Sequence, residues 1–521
     1  MRFQKEKWVK YCSVIGAHFL TASMSFMWTY GNLAPYVDSY VKFSCSPDCA
    51  DGGTQWILNL WLIGTTPGLF LVDPMVKIVG MKRLVMLSVL LSSLAVLASA
   101  WMLHISVIGA SLLMGLLNGI SVGVPNILSL TFINGWIPER SSIFTATVTS
   151  SAPVVAIIQN QIVTAYVNPL NLRPDVQQGS SAFFSQPQIL ERVPGAILII
   201  AGMTLAVQVV GCVLVENPPV QQSIDKTDAV SQTHSRVVKD TDKLYDTFCP
   251  ESVSARVSTP SILNGHEGLS HCESNSYTHY NMDSSKAPET CSHNTCSSKR
   301  PAVEVHESND SKQGESTPVP SCKPSQALKT RVFWALCFYA GCMGYGVIIK
   351  NSFFKVFGLL YIPDDRFLTL LGSLIPLIEA ICRVIFGAVL DKNIFNIKDC
   401  LVFGLSLCSV LFAFFYFAPQ VNKPVYVILI LALSFAQSLF FLLIALCTFV
   451  LFGPAHFALL YALVFMAPTT SSVVSALIVT PILQTLGWFW LFMTPSILSA
   501  LGLGFVMITE FEDSAEVHAA L

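Results

Sequence analysis

Apolar runs of 19–28 residues recur twelve times along the chain, at about 10–31, 55–77, 83–103, 106–133, 142–166, 193–215, 331–354, 368–390, 400–418, 424–450, 457–480 and 485–508. Each is long enough to cross a hydrocarbon core of about 30 Å. A segment in lipid must satisfy its own backbone N–H and C=O groups, so only helices and closed barrels span. Barrel strands would be about ten residues long and alternate strictly. These runs do neither. The first run is too long for a cleavable signal peptide, lacks a small-residue cleavage site and continues into a multi-span protein. The expected fold is an all-α membrane protein of twelve transmembrane helices in two six-helix halves.

The distribution of charge agrees. Charged residues make up 12% of the chain and hydrophobic ones 53%, with a mean hydropathy of +0.59. A soluble protein carries roughly twice that share of charge, which excludes a water-soluble enzyme of ordinary composition. Residues 216–330 hold 11 Lys/Arg and 15 Asp/Glu, leaving 36 of the 62 charges for the other 406 residues. That stretch also has 20 Ser and few aromatics. It lacks the apolar surface to offset the entropy of ordering, so a disordered cytoplasmic linker is expected. The chain then divides into an N-terminal half (1–215), the linker (216–330), a C-terminal half (331–510) and a cytoplasmic tail (511–521). His234, His266, His271, His279, His293 and His306 lie in the linker with Cys291-x4-Cys296, a spacing that fits no zinc pattern well. No cofactor is expected. A net charge of −2 gives no argument for nucleic acid. Fifteen Cys, scattered mostly through apolar runs, are not a disulfide framework.

Lys and Arg in short loops set the orientation of a membrane protein. Arg2, Lys5, Lys7 and Lys10, then Lys77, Lys82 and Arg83, then Lys392 and Lys398 fall on one side if the termini and linker are cytoplasmic. The expectation is an integral, multi-pass protein of the plasma membrane with cytoplasmic termini. The sequon Asn309-Asp310-Ser311 would then go unused. Cys45 and Cys49 would face outward, either as a disulfide or as two free thiols.

Arg383 stands inside the eighth run, where a charge is expensive and usually faces a cavity or a partner. Glu379 is one helical turn earlier, on the same face. Two readings follow. A carboxylate substrate competes for the planar guanidinium fork while Glu379 takes a proton, or the two form a permanent brace. Lys350, late in the seventh run, is expected to snorkel to the outer interface. Gly115-x3-Gly119-x3-Gly123 reads as a helix-packing stripe, flanked by Asn118 and Asn126 as candidate cavity residues. Tyr30, Asn160 and Gln437 are candidate substrate contacts. Tyr30 sits among Ser25, Trp28 and Asn32, Asn160 lies between Gln159 and Gln161, and Gln437 is the lone amide of the tenth run.

Six plus six spans around a long inner loop resembles the major facilitator superfamily, in which two parallel repeats enclose a cavity near the midplane. The motifs sharpen the likeness. Gly387-x3-Asp391-Lys392 is similar to that superfamily's cytoplasmic turn motif, which implies a gating role for Asp391 and Lys392. Gly68, Asp73 and Gly80-Met81-Lys82-Arg83 form a degraded first copy, with Asp73 and Arg83 as its gating candidates. Trp136-Ile137-Pro138-Glu139-Arg140, the Asn160 to Pro169 segment, Lys355-Val356-Phe357-Gly358 and Phe452-Gly453-Pro454 resemble turns of the monocarboxylate transporter and oxalate:formate antiporter families. Glu379-x3-Arg383 matches the acidic and arginine pair of the monocarboxylate transporters. Two positions depart. Tyr36 stands where those transporters carry a lysine late in the first span. Thr469, Thr470, Ser471 and Ser472 stand where the oxalate antiporters carry a second basic residue. The sequence therefore places one basic residue in the cavity, which argues against a dicarboxylate held by two cations.

The resemblance implies a secondary active transporter of a small organic anion, a monocarboxylate in the first instance. Alternating access would be coupled to protons or to exchange of a counter-anion. Expected partners are that carboxylate, protons or the counter-anion, the lipid bilayer and an accessory membrane protein. The alternatives are a carrier of an amino acid or other small metabolite, and a receptor or scaffold that kept the fold and lost transport. No His-Glu-x-x-His or P-loop is present, so neither an enzyme nor a self-contained ATP-driven pump is expected.

Overall fold

A computed structural model describes residues 2–44, 54–137, 140–179, 181–216, 323–392 and 394–509, which lie within one compact unit. The Cys45–Cys49 pair, the sequon, the histidines and Cys291-x4-Cys296 of the linker, Pro138-Glu139 and the tail fall outside the described residues. Spans two to twelve are Trp56–Val79, Met81–Met102, Val107–Trp136, Ser141–Val167, Val193–Leu214, Arg331–Tyr361, Asp365–Asp391, Ile397–Phe415, Lys423–Phe452, Phe457–Thr485 and Gly487–Ile508. The first is longer than its apolar run. It is helical from Arg2–Thr21 and Phe26–Ser44, with a 3-10 turn at Ala22–Ser25 between them. The fold is twelve transmembrane helices in two six-helix halves.

Local chemistry starts and bends these helices. Thr330 caps the seventh span by accepting from the Phe333 amide at 3.3 Å, and Asp364 caps the eighth through Phe367 at 3.2 Å. The glycine stripe packs the fourth span onto the second. A Cβ on Gly115 would stand 2.7 Å from the Ile57 carbonyl, and one on Gly123 2.5 Å from that of Thr65. Asn118 is turned toward the third span, where Ser92 donates to it at 2.7 Å. Between spans five and six, strands Val176–Gln178 and Ser181–Phe183 pair antiparallel. Within the stretch expected to be disordered, Pro324–Ala327 makes one helical turn before the seventh span.

Candidate functional site

The site lies where the two halves meet, and spans five and eight form its spine. They run antiparallel and in register. Ile143 touches Asp391, Thr149 touches Arg383, Asn160 touches Gly372, Thr164 touches Thr369 and Asn168 touches Asp365. Prolines explain two of these contacts. A proline has no N–H, so the carbonyl four residues earlier loses its helical donor. Pro153 frees the carbonyl of Thr149, and Arg383 donates to it through Nη1. Pro376 frees that of Gly372, and Asn160 donates to it at 2.9 Å.

Arg383 is fully buried. Its Nε donates to the Ser438 carbonyl at 3.1 Å, where the tenth span breaks between Gln437 and Leu439. Trp28 and Phe441 flank the guanidinium. Its Nη2 stands 3.6 Å from Glu379 Oε2 and makes no hydrogen bond. The closer partner of Glu379 is Lys350, whose Nζ is 2.6 Å from Oε1. Trp28 Nε1 donates to Oε2 at 2.7 Å from the other half. This corrects the expectation for Lys350. The lysine does not snorkel; it is fully buried, facing Glu379 and Ser434. With ordinary charges, the centre holds two cations and one carboxylate. The view that only one basic residue reaches the interior is corrected with it.

Toward the side of the membrane away from the linker lies a second layer. Lys355 Nζ is 2.8 Å from Asp365 Oδ1, and it donates to Asn32 Oδ1 at 2.8 Å, Thr369 at 3.1 Å and the Tyr36 hydroxyl at 3.2 Å. Tyr36 and Asn168 donate to Asp365. A lysine of the seventh span thus stands beside Tyr36, the position the resemblance left without one. Phe184, just after the hairpin, packs on Tyr36 with ring centroids 5.5 Å apart. Asp364, at the rim, is half in water. Partial burial pushes its carboxyl up, but the Phe367 amide, Asn171 and the charges of Lys423 and Arg173 outweigh that and leave it below the usual carboxylate range. Near the linker side, Asp391 Oδ2 accepts from the Ile143 amide at 3.2 Å, a free donor at the start of the fifth span. Gly387 permits the approach, since a Cβ there would meet Ala146 at 2.5 Å.

The structure brings some predicted residues together and separates others. Arg383, Glu379 and Gln437 share the centre. The Gln437 amide lies beside Gly346, one turn from Lys350 on the seventh span, with no hydrogen-bond partner at either atom. Asn160 is engaged with the Gly372 carbonyl. Tyr30 points elsewhere, donating to the Thr54 carbonyl. Trp28, not Tyr30, reaches the centre, because positions two apart on a helix point about 200° apart. Asp391 reaches the other half, while Lys392 is exposed. Asp73 and Arg83 are exposed, and among the described residues neither has an ion pair or side-chain hydrogen bond. Sequence reasoning missed Lys350 and Lys355 as interior cations. Thr469 faces Thr66 of the second span, and Ser471 donates to the Gly341 carbonyl.

The sequence profile of the Major Facilitator Superfamily matches residues 18–474. The chain belongs to this superfamily. Its fold is similar to the xylose transporter XylE from E. coli in a partially occluded inward-open conformation. The TM-score is 0.56 at 11% identity, covering 96% of this chain and all of that one. A D-xylose-proton symporter gives the same TM-score at 12% identity, covering 94% and 96%. Among curated proteins, the apicoplast pyruvate carrier 1 of Toxoplasma gondii is 23% identical over 257 residues, which is 41% of this chain and 47% of that carrier. The match thus spans about half the length of that relative. The chain is a transporter, with a small-molecule substrate and a lipid bilayer as its setting, and not an enzyme.

Proposed function

We propose that the chain transports a small organic anion, a monocarboxylate in the first instance, by alternating access. The observation that carries this reading is the charge of the centre. Lys350 and Arg383 face one carboxylate, Glu379, and an unopposed buried charge is costly. A bound monocarboxylate would neutralise the surplus. Arg383 Nη2 and the Gln437 amide are buried donors without hydrogen bonds among the described residues, and they suit a carboxylate and its α-oxygen. The partial likeness to a pyruvate carrier supports the same substrate class.

Glu379 is the coupling residue on this reading. When protonated it releases Lys350 and Trp28, so proton binding and substrate binding act on one network. Counter-anion exchange is the other coupling the centre permits. Asp391 closes the linker side through the fifth span, with Lys392 beside it at the turn; Asp73 and Arg83 take the corresponding place in the first half. The test is uptake of labelled pyruvate, lactate, formate, oxalate and amino acids into proteoliposomes, with and without a pH gradient. Saturable uptake of a monocarboxylate is expected. Uptake of neutral solutes alone, or of nothing, would refute the reading.

A further inference from the structure

A groove of about 550 Å³ runs between spans seven, eleven and twelve, away from the charged centre. Its walls include Phe338, Gly341, Tyr345, Met466, Thr470 and Leu498. The polar atoms along it are already engaged. The Tyr345 hydroxyl pairs with Thr494 at 2.8 Å, Ser471 donates to the Gly341 carbonyl at 2.8 Å, and Thr470 donates to that of Met466 at 2.9 Å. Such a groove offers dispersion contacts and no directional recognition, which suits a hydrocarbon chain. Its length fits one. From Phe333 to Tyr345 the helix rises about 18 Å, against about 15 Å for one leaflet's share of the hydrocarbon core.

The mouth of the groove is different. Leu328 and Trp334 line it, and Trp334 Nε1 donates to the Leu328 carbonyl at 2.9 Å, pinning the turn that enters the seventh span. Lys329 and Arg331 flank this turn. Both are exposed, and among the described residues neither forms an ion pair. An apolar channel one leaflet deep with two free cations at its polar end matches an anionic phospholipid: acyl chain inside, phosphate at the mouth. We propose that this groove binds an anionic glycerophospholipid from the leaflet on the linker side. The inference is independent of the transported substrate.

The experiment uses the full-length protein in vesicles containing phosphatidylcholine and phosphatidylglycerol, with one of the two brominated on its acyl chains, and reads tryptophan quenching. The chain has nine tryptophans, so the signal is the part of the quenching that Trp334→Phe removes. Brominated phosphatidylglycerol is expected to saturate that signal at a several-fold lower mole fraction than brominated phosphatidylcholine. The surface variant Lys329→Gln/Arg331→Gln should abolish the preference. Gly341→Leu, which fills the groove, should remove the Trp334 signal for both lipids. Equal quenching by both lipids would mean ordinary boundary lipid and overturn the proposal. So would a preference that survives the double charge variant, stronger quenching by a brominated sterol, or no quenching by any lipid. Should Gly341→Leu fail to fold, the charge variant alone decides.

Discussion

Arg383 makes different bonds with different atoms, and that determines how its variants should behave. Nε and Nη1 hold the Ser438 and Thr149 carbonyls, while Nη2 stands 3.6 Å from Glu379 without a hydrogen bond and is the atom we propose for substrate. Arg383→Lys keeps the charge and loses the fork. Transport is expected to fall at least tenfold, with expression and membrane insertion near wild type, checked by uptake beside a thermal-shift assay. Glu379 and Lys350 make a separate prediction. Either Glu379→Gln or Lys350→Met leaves a buried charge without its partner and should cost about 3–5 kcal/mol of stability. The double variant should regain most of that loss. If it also regains wild-type transport, the pair is only a brace and the coupling role of Glu379 is wrong. Arg383 and Glu379 were legible in the sequence because a charge within an apolar run stands out. Lys350 was not. Its position near the end of the run matched a snorkelling lysine, and only the approach of spans seven and eight shows that Glu379 is within 2.6 Å.

Several helices of each half meet at the site, and the facing stripes of the first and eighth spans are periodic. Trp28, Asn32 and Tyr36 recur every four residues in the first span, and their side chains reach Glu379, Lys355 and Asp365 of the C-terminal half. Asp365, Thr369, Glu379, Arg383, Gly387 and Asp391 mark the matching stripe on the eighth. The stripe could be read in each helix, but its partner could not, since helical period says nothing about which helix lies opposite. Proline offers a test of the seam. Pro153→Ala gives Thr149 an ordinary helical donor in competition with Arg383. Thermal stability is expected to hold or rise, while turnover drops roughly tenfold if the Arg383 bond contributes about 1.4 kcal/mol to the closed state. Unchanged turnover would separate that bond from the transport cycle. Asp391→Asn acts at the linker side, removing a charge from the start of the fifth span for about 0.3–1 kcal/mol. A cysteine placed at Ser142 should then react with a hydrophilic thiol reagent two- to fivefold faster. No change would show that Asp391 does not hold that side shut.

At the scale of the whole molecule, the fold was readable because lipid dictates span length, and twelve runs leave few arrangements. The hairpin and Phe184 over Tyr36 carry no such signal, being set by loop packing. Cross-half contacts occur at three levels: Asp391 with Ile143, Arg383 and Glu379 with Thr149 and Trp28, and Lys355 and Asp365 with Asn32, Tyr36 and Asn168. Further contacts join spans two and eleven at Thr66 and Thr469. None of these bonds uses the linker. The halves therefore carry their own means of association, and the Ser-rich stretch between them has too few apolar residues to add a core. Replacing residues 225–320 with a short Gly/Ser linker leaves Glu216 and the turn at Pro324–Ala327 in place. The shortened protein is expected to insert and to transport within about twofold of the full chain, because a flexible connection changes the effective concentration of the halves only slowly with length. Failure to insert would show that the stretch contains a folded element the composition conceals. Normal insertion with lost transport would instead make the linker part of the transport cycle.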